Sequence, residues 1–299
     1  MAYTYRFAAL LVLLSATVSF SSAQISVSLP FTGNISIGFS NSLLVKKDTS
    51  LNIVWYGKFT PNQRAIIVDF IRSLNSPADA KGPTVASWWK TTEKYNGGAS
   101  TIVVGKQLLL EDYPFGKSLK NPHLKALSGK LNGGGVRSIT AVLTAKDVTV
   151  EGLCTKRCGT HVSKSSSVGG RAYVWVGNSE DQCPEYCARP FHQPLSGPHS
   201  PPLIAPNGDV GVDGMIIHLA TLLANTATNT FKSGNVNGDQ EPASYCVDRF
   251  GSGAYPGYAG HVLVDKTTGA SYNALGLAGR KYLLPALWDS QAGECRTLV

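Results

Sequence analysis

The chain has 299 residues, of which 43% are hydrophobic and 15% charged, so it has enough apolar material for one large domain or two small ones. Its formal net charge is +8, but the lysines and arginines are scattered, with no run longer than Lys46-Lys47 or Arg280-Lys281. That scatter excludes the clustered basic face typical of nucleic-acid binding, and we expect no nucleic-acid partner.

Residues 1–23 have the pattern of a secretory signal peptide. Arg6 supplies a positive n-region, residues 7–20 are mostly apolar, and small residues precede a cleavage site. The apolar run of about 14 residues is short of the roughly 20 that a membrane-spanning helix needs. We therefore predict cleavage before Gln24, a secreted product and a single domain over residues 24–299. No later segment has the uninterrupted apolar length of a membrane span, so we expect no membrane insertion after cleavage.

Six cysteines follow the leader, an even count that favours three disulfides in a secreted chain. They are Cys154, Cys158, Cys183, Cys187, Cys246 and Cys295. Two C-x-x-x-C pairs also allow a four-thiolate zinc site, although zinc ribbons usually have two-residue gaps. The sequence does not choose among the pairings. The nearest-neighbour set joins Cys154 to Cys158, Cys183 to Cys187, and Cys246 to Cys295. The last bridge would close a loop of about 50 residues and stabilise the fold by roughly 4 kcal/mol.

The predicted elements begin after a polar N-terminal segment, in which Asn34 starts an N-x-S sequon and is a candidate glycosylation site. Residues 51–56 are β-rich and end at a glycine. Thr60 then has the features of a helix N-cap, with a proline after it and Gln63 completing a capping box. Apolar residues recur on one face of this helix, at Ile66, Ile67, Phe70, Ile71 and Leu74.

A second helix is predicted over residues 85–95, with the neighbouring pair Trp88 and Trp89. Such a pair can form a sugar-binding platform, but core packing is the commoner use of these residues and is the interpretation that we favour.

Strands and helices continue to alternate as far as about residue 180. We predict strands over residues 101–110, 138–150 (in two pieces) and 171–176, and a helix over residues 122–131. The alternation favours an α/β (α+β) fold in which a mixed sheet is flanked by helices. Residues 182–211, rich in proline, are predicted to form an ordered loop. After the last helix, glycine, tyrosine and asparagine favour an irregular C-terminal region stabilised by a disulfide.

The last helix is predicted over residues 213–225, and two carboxylates lie at its start. Asp209 and Asp213 are either a pair for acid–base chemistry or calcium binding, or Asp213 is simply the helix N-cap. We favour the cap.

The motifs of several enzyme classes are absent from the sequence. It contains neither a G-x-S-x-G elbow nor a phosphate-binding P-loop. His218 lies on the last helix, but Leu222 stands where a zinc-protease helix needs its second histidine. His192 and His199 flank the proline-rich loop and could bind a metal, although lone loop histidines are more often surface residues. We therefore predict no catalytic residue, cofactor or metal ligand.

Six segments spread over the chain form a recognisable set: IVWYG at 53–57, WWKTT at 88–92, PFHQP at 190–194, NGDVGVDGM at 207–215, GAYPGY at 253–258 and GRKYLLP at 279–285. Together they resemble the plant EXORDIUM-like family, also called phosphate-induced protein 1. The resemblance implies a secreted protein of the plant apoplast or cell wall, linked to brassinosteroid-responsive cell expansion and growth. The resemblance implies no catalytic activity and therefore no catalytic residues. Thr230 and His218 depart from the family pattern, which has proline and asparagine there.

A weaker resemblance concerns Thr228-Asn229, which is similar to the T-D-P that follows a metal-binding helix in some bacterial secreted proteins of zinc-protease type. On that register Thr221 and Leu222 would occupy the positions of a metal-binding histidine and its catalytic glutamate. The hypothesis is a degenerate zinc-protease-like scaffold whose site has decayed.

Two functions follow. The first is a non-catalytic extracellular protein that binds an acidic cell-wall polysaccharide or a cell-surface receptor and so modulates growth. The alternative is an apoplastic hydrolase or carbohydrate-active enzyme that uses Asp209 and Asp213 as an acid pair.

Overall fold

The computed structural model describes residues 49–76, 82–96, 101–131, 138–164, 171–195, 200–228 and 241–299. All of them belong to one unit, residues 37–299. The predicted signal peptide, its cleavage site and the sequon at Asn34 lie outside the described residues.

The helices and strands alternate as far as residue 177, and short strands dominate after residue 260. The helices are α1 (Pro61–Ser73), α2 (Val85–Lys90), α3 (Glu93–Asn96), α4 (Asn121–Gly129), α5 (Pro184–Cys187), α6 (Val210–Thr228) and α7 (Pro242–Tyr245). The strands are β1 (Thr49–Tyr56), β2 (Ile102–Leu110), β3 (Ser118–Leu119), β4 (Ser138–Thr144), β5 (Thr149–Val150), β6 (Gly159–Lys164), β7 (Arg171–Gly177), β8 (Leu263–Val264), β9 (Ser271–Tyr272), β10 (Ala274–Leu275), β11 (Lys281–Tyr282), β12 (Leu287–Asp289) and β13 (Glu294–Arg296).

The central sheet has the strand order β2-β1-β4-β7-β6. The first four strands are parallel, and β6 pairs antiparallel with β7 at one edge. β4 is buried along its whole length, as expected for a central strand of a sheet covered on both faces. The predicted α/β (α+β) fold with a mixed sheet flanked by helices is therefore confirmed.

One polar side chain interrupts the pairing of β1 with β2. The register shifts between Leu51 and Ile53, where the Asn52 Oδ1 accepts the Lys106 N–H at 2.8 Å. A Cβ on Gly105 would lie 2.3 Å from that oxygen, so only glycine leaves room for the buried amide. The irregularity thus follows from a side chain that replaces a backbone partner.

The first helix begins as the sequence predicts. The Gln63 N–H donates to Thr60 Oγ1 at 3.2 Å, and the Thr60 N–H donates to Gln63 Oε1 at 3.0 Å, which completes the capping box. Its predicted apolar face is buried, and the Phe70 ring meets Tyr282 edge-on with centroids 5.6 Å apart.

The predicted helix over residues 85–95 is instead two short helices, α2 and α3. The Thr92 hydroxyl donates to the Trp89 carbonyl at 2.7 Å, a local hydrogen bond of the kind that competes with helix continuation. Trp88 and Trp89 are each 2% exposed, and the Trp88 Nε1–H donates to the Pro285 carbonyl at 2.7 Å. Core packing of these two tryptophans is therefore confirmed.

The disulfides correct the predicted pairing. Cys154 is bonded to Cys183 and Cys158 to Cys187, each across 29 residues, so the two short bridges expected within the C-x-x-x-C pairs are wrong. Cys183 and Cys187 lie one helical turn apart at the two ends of α5, so both side chains face the segment that holds the other pair. The predicted bridge of Cys246 to Cys295 is confirmed. Since all six cysteines are bridged, the four-thiolate zinc site is wrong.

Among the described residues, only the longest helix, α6, is long and apolar enough to cross a bilayer. Yet 78% of its most apolar window is buried inside the protein. It packs against α1, β6 and β7, and this core position accounts for its composition.

The C-terminal region consists of three two-stranded antiparallel pairs, β8–β9, β10–β11 and β12–β13, joined by turns. Asn273 is 1% exposed, and its amide donates to the carbonyls of Phe250 (2.8 Å) and Leu284 (2.7 Å). The Tyr282 hydroxyl donates to the Ile66 carbonyl of α1 at 3.0 Å. Buried polar contacts therefore fix a region whose regular structure is sparse.

Asp289 holds the end of the chain against α3. It is fully buried and accepts from the Lys94 ammonium, from Arg296 Nη1 (3.3 Å) and from the N–H groups of Gln291 (3.0 Å) and Ala292 (3.2 Å). Burial alone would raise the pKa of Asp289, but Lys94 and the backbone donors outweigh it and lower the pKa to about 2. The carboxylate is therefore charged and fully partnered.

Replacing both Cys246 and Cys295 by alanine should lower the free energy of unfolding by roughly 4 kcal/mol, because the unfolded chain regains the entropy of an open loop. Urea denaturation of the oxidised protein, followed by tryptophan fluorescence, measures the change. Ser252→Ala, at an exposed position in the same region, is the control. A loss below about 1 kcal/mol would contradict the importance of this bridge.

Candidate functional site

Asp209 caps the start of α6 (Val210–Thr228). Its Oδ1 accepts the Val212 N–H at 2.8 Å, and its Oδ2 accepts from the Gln63 side chain of α1 at 2.9 Å. The helix begins at Val210, so the prediction that Asp213 caps it is wrong. The glycines at 208 and 211 gave the segment the composition of a loop, which hid the first turn of the helix.

Asp213 lies inside the helix and is 2% exposed. Its two oxygens accept from Asn207, from the backbone N–H at 2.8 Å and from the side-chain Nδ2 at 2.6 Å. Burial raises the pKa of Asp213 to about 7, and the Asn207 hydrogen bonds offset only part of that rise.

The two carboxylates do not form an open pair. Asp209 is engaged by the helix start and by Gln63, whereas Asp213 is enclosed and engaged by Asn207. Acid–base hydrolysis needs two carboxyl groups that flank a substrate, and the burial of Asp213 withholds it from one.

Two glycines of the same segment allow close helix packing. A Cβ on Gly211 would lie 2.2 Å from Asn178 Oδ1, after the end of β7. A Cβ on Gly214 would lie 3.0 Å from Ala188 Cα, next to the disulfide-bonded α5. The segment 207–215 is thus a joint between α6 and its neighbours.

A polar cleft of about 340 Å³ lies over this joint. Arg280 Nε donates to Asp69 at 3.2 Å and its Nη1 to Asn207 Oδ1 at 3.2 Å. Lys281 forms an ion pair with Asp265, and its hydrogen bond lowers the pKa of that carboxyl. The two cations of the cleft are thus balanced by two carboxylates. A chain of contacts runs from Asp213 through Asn207 and Arg280 to α1, so the cleft has a structural role.

A second cavity, of about 320 Å³, lies between the proline-rich loop and the GAYPGY turn. We call it the proline–tyrosine pocket. Its apolar lining comes from Pro190, Pro194, Pro201, Leu203, Tyr258 and Ala259. Its charged and polar lining is the Arg189–Asp248 ion pair, His192 and Ser200. A mainly apolar cavity with a few polar groups is the usual form of a small-molecule site.

A buried apolar cluster and two hydrogen bonds hold the walls of this pocket. Phe191 is buried in a small cluster with Ile217, Phe250 and Leu283, and the Leu203 N–H donates to the Pro190 carbonyl at 3.0 Å. The Ser200 hydroxyl donates to the Gly257 carbonyl of the opposite wall at 3.1 Å. These contacts hold the described walls of the pocket in place.

The GAYPGY turn is closed by its own backbone. The Tyr255 N–H donates to the Tyr258 carbonyl at 3.1 Å, and the Tyr258 N–H donates back at 2.8 Å. The Tyr258 hydroxyl contacts His261 Nδ1 at 3.2 Å. A Cβ on Gly251 would lie 1.9 Å from the His261 carbonyl oxygen, so the close approach of these two backbone segments requires glycine.

The two described histidines that were considered as metal ligands, His192 and His218, do not belong to one ligand cluster. His192 is exposed at the proline–tyrosine pocket, and His199 lies outside the described residues. His218 contacts the Cys187 carbonyl at 2.7 Å, and burial lowers the pKa of its imidazole. Its ring lies within 4.8 Å of the sulfurs of Cys158 and Cys187, but those sulfurs are bonded to each other and offer no thiolate.

Thr221 and Leu222, the positions of the decayed-protease hypothesis, lie on α6. The Thr221 hydroxyl donates to the Ile217 carbonyl of the preceding turn at 2.9 Å, and Leu222 packs against the main core. The hypothesis stays a prediction.

Sequence reasoning missed the pocket as a unit. It singled out His192 and the two motifs that supply the walls, but not Arg189 or Asp248. These two residues are 59 positions apart and meet only in the fold. Asp248 has a φ of 56°, a backbone conformation that a single sequence does not reveal.

Comparisons with known proteins agree with the motifs. The family described as phosphate-induced protein 1 conserved region matches residues 37–298. The chain is 68% identical to Protein EXORDIUM-like 4 of Arabidopsis thaliana, over 100% of both chains. It is 51% identical to Protein PHOSPHATE-INDUCED 1 of Nicotiana tabacum, over 97% of this chain and 96% of that one. It is also 50% identical to Protein EXORDIUM of Arabidopsis thaliana, over 87% and 88%. No solved structure matches.

Replacing Asp213 by asparagine should remove the part of the pH dependence of stability that comes from the titration of this carboxyl group. The pKa of Asp213 is about 7 in the folded protein and about 3.9 in an unfolded chain, so the folded state binds more protons between these values. This contribution is complete below about pH 4 and is lost as the pH rises to about 7, by roughly 4 kcal/mol. Denaturation midpoints of both proteins across this range measure it.

Ser252→Ala is the control for that experiment, because it lies at an exposed position and removes no titratable group. Its difference from the wild type should stay nearly constant across the same pH range. If the difference between the wild type and Asp213→Asn is also constant, Asp213 is already ionised in the folded protein.

Proposed function

The chain belongs to the phosphate-induced protein 1, or EXORDIUM-like, family, and we propose that it is a secreted protein of the plant apoplast or cell wall. There it binds an acidic cell-wall polysaccharide or a cell-surface receptor without catalysis and modulates brassinosteroid-responsive cell expansion. A signal peptide over residues 1–23 and a glycan at Asn34 are part of this proposal.

The cysteines support export. All six are paired in three disulfides. Such bridges form and persist in oxidising spaces and are rare in the cytosol. The leader pattern of the sequence points to the same compartment.

The single observation that carries the binding function is the proline–tyrosine pocket, which offers a site for an uncharged part of the polymer or receptor, whereas the diffuse positive charge of the protein attracts acidic units. Its serine, Ser200, donates to a carbonyl rather than to a histidine, so that hydroxyl is not set up as an activated nucleophile. Rigid proline walls and a charged pair instead provide shape and hydrogen-bonding groups, which suffice for binding.

Charge gives a second, weaker kind of affinity. Loss of Arg6 with the leader would leave the formal net charge at +7, from the +8 of the full chain. A diffuse positive surface attracts polyanions such as pectin in a manner that salt weakens.

The alternative, an apoplastic hydrolase using Asp209 and Asp213, has one observation in its favour. A carboxyl with a pKa of about 7, as in Asp213, has the acidity of a general acid. Its enclosure makes this the second choice.

Purified oxidised protein comprising residues 24–299 should bind immobilised pectin or xyloglucan without releasing reducing sugar. Pectin binding should weaken with salt, since it depends on diffuse charge. Reduced and alkylated protein is the control, because it loses the bridges that hold the pocket. Reducing-sugar release that disappears in Asp209→Asn would instead support the hydrolase, and retention of neither polymer would contradict polymer binding.

A further inference from the structure

We infer that the proline–tyrosine pocket binds one uncharged sugar unit that carries neighbouring hydroxyl groups, through the Arg189–Asp248 pair and the ring of Tyr258. The inference rests on the proposed function, in that the sugar is part of a wall polymer. It names the site and the class of sugar, and it separates specific recognition from the diffuse attraction of the surface to polyanions.

The charged pair provides a donor and an acceptor side by side. Arg189 Nη2 contacts Asp248 Oδ2, and both side chains are 34% exposed, so neither is sealed in the interior. A guanidinium has five N–H donors and a carboxylate about four acceptor positions, more than their mutual contact uses. A sugar hydroxyl both accepts and donates, so neighbouring hydroxyls can bind arginine and aspartate at once.

The same pair favours an uncharged ligand. Arginine and aspartate together carry no net charge, and the other charged-capable group of the lining, His192, is exposed to solvent. The carboxylate of a uronic acid next to Arg189 would also lie next to Asp248, and that repulsion offsets the gain. Hydroxyl groups meet no such penalty.

The apolar lining suits the rest of a sugar ring. A pyranose has C–H faces that pack against aromatic and aliphatic surfaces, and Tyr258 with the prolines and Leu203 provides them. The proline walls lose little conformational freedom on binding, so little affinity is spent on ordering them. A cavity of about 320 Å³ is at the small end for ligand sites and limits the bound part to about one sugar unit.

Asp248 is held in an unusual backbone conformation at the pocket. Its φ of 56° lies in the left-handed region, which aspartate and asparagine tolerate better than most residues. Residues kept in such conformations cluster at binding sites. Asp248→Asn therefore tests the charge alone, because asparagine retains the backbone preference and the shape of aspartate but not its charge.

The test uses the oxidised protein and a panel of neutral oligosaccharides from xyloglucan, glucomannan, arabinogalactan and cellulose, beside oligogalacturonate. Binding is measured by calorimetry at low and high salt. We expect at least one neutral oligosaccharide to bind in a salt-insensitive manner. Tyr258→Ala and Asp248→Asn should each weaken that binding about tenfold or more.

Tyr186→Ala is the matched control, since it removes an exposed tyrosine from α5 that does not line the pocket. It should leave the affinity within about twofold. Unchanged thermal midpoints and intact disulfides in all three variants show that a loss of binding is local.

Three results would overturn the inference. In the first, only oligogalacturonate binds, and salt abolishes the binding. In the second, a neutral oligosaccharide binds equally well to the wild type, Tyr258→Ala and Asp248→Asn. The proposed function then stands, but the sugar lies elsewhere. In the third, an apolar dye such as anilinonaphthalene sulfonate fills the pocket and no sugar displaces it. Failure of every oligosaccharide and every immobilised polymer to bind would remove polymer binding and the inference together.

Discussion

Two disulfides that run side by side, Cys154–Cys183 and Cys158–Cys187, are the constraint on which the rest of the structure depends. They fix α5 at both ends, and α5 in turn lies against α6, where Gly214 permits the close approach. The chain leaves α5 at Ala188 and enters the pocket at Arg189. The orientation of the pocket wall therefore follows from the bridges, and each bridge limits the freedom of the unfolded chain as well.

The segment 207–215 joins α6 to its neighbours. Asp209 caps α6 and contacts α1, while Asn207 joins the buried Asp213 to Arg280 of the C-terminal region. These hydrogen bonds connect α6 to α1 and to the C-terminal region, so several contacts fix the segment at once. The segment 207–215 contributes no residue to the lining of the proline–tyrosine pocket.

Much of the fold could be predicted because local signals agreed with tertiary structure. The capping box of α1 and the β-rich run of β1 are examples. The edge strand β6 was missed because Gly159–Lys164 is polar and pairs on one side only, so it lacks an apolar pattern. Disulfide pairing, the buried state of Asp213 and the meeting of Arg189 with Asp248 depend on contacts between distant segments. A single sequence contains no local signal for these.

The measurement that tests the central constraint most directly is disulfide mapping of the protein recovered from its natural extracellular fluid. Proteolysis without reduction, followed by mass spectrometry, identifies the linked peptides. We expect peptides that join the segment of Cys154 and Cys158 to the segment of Cys183 and Cys187. Bridges confined within either segment, or free thiols at these four positions, would contradict this architecture and the pocket that depends on it.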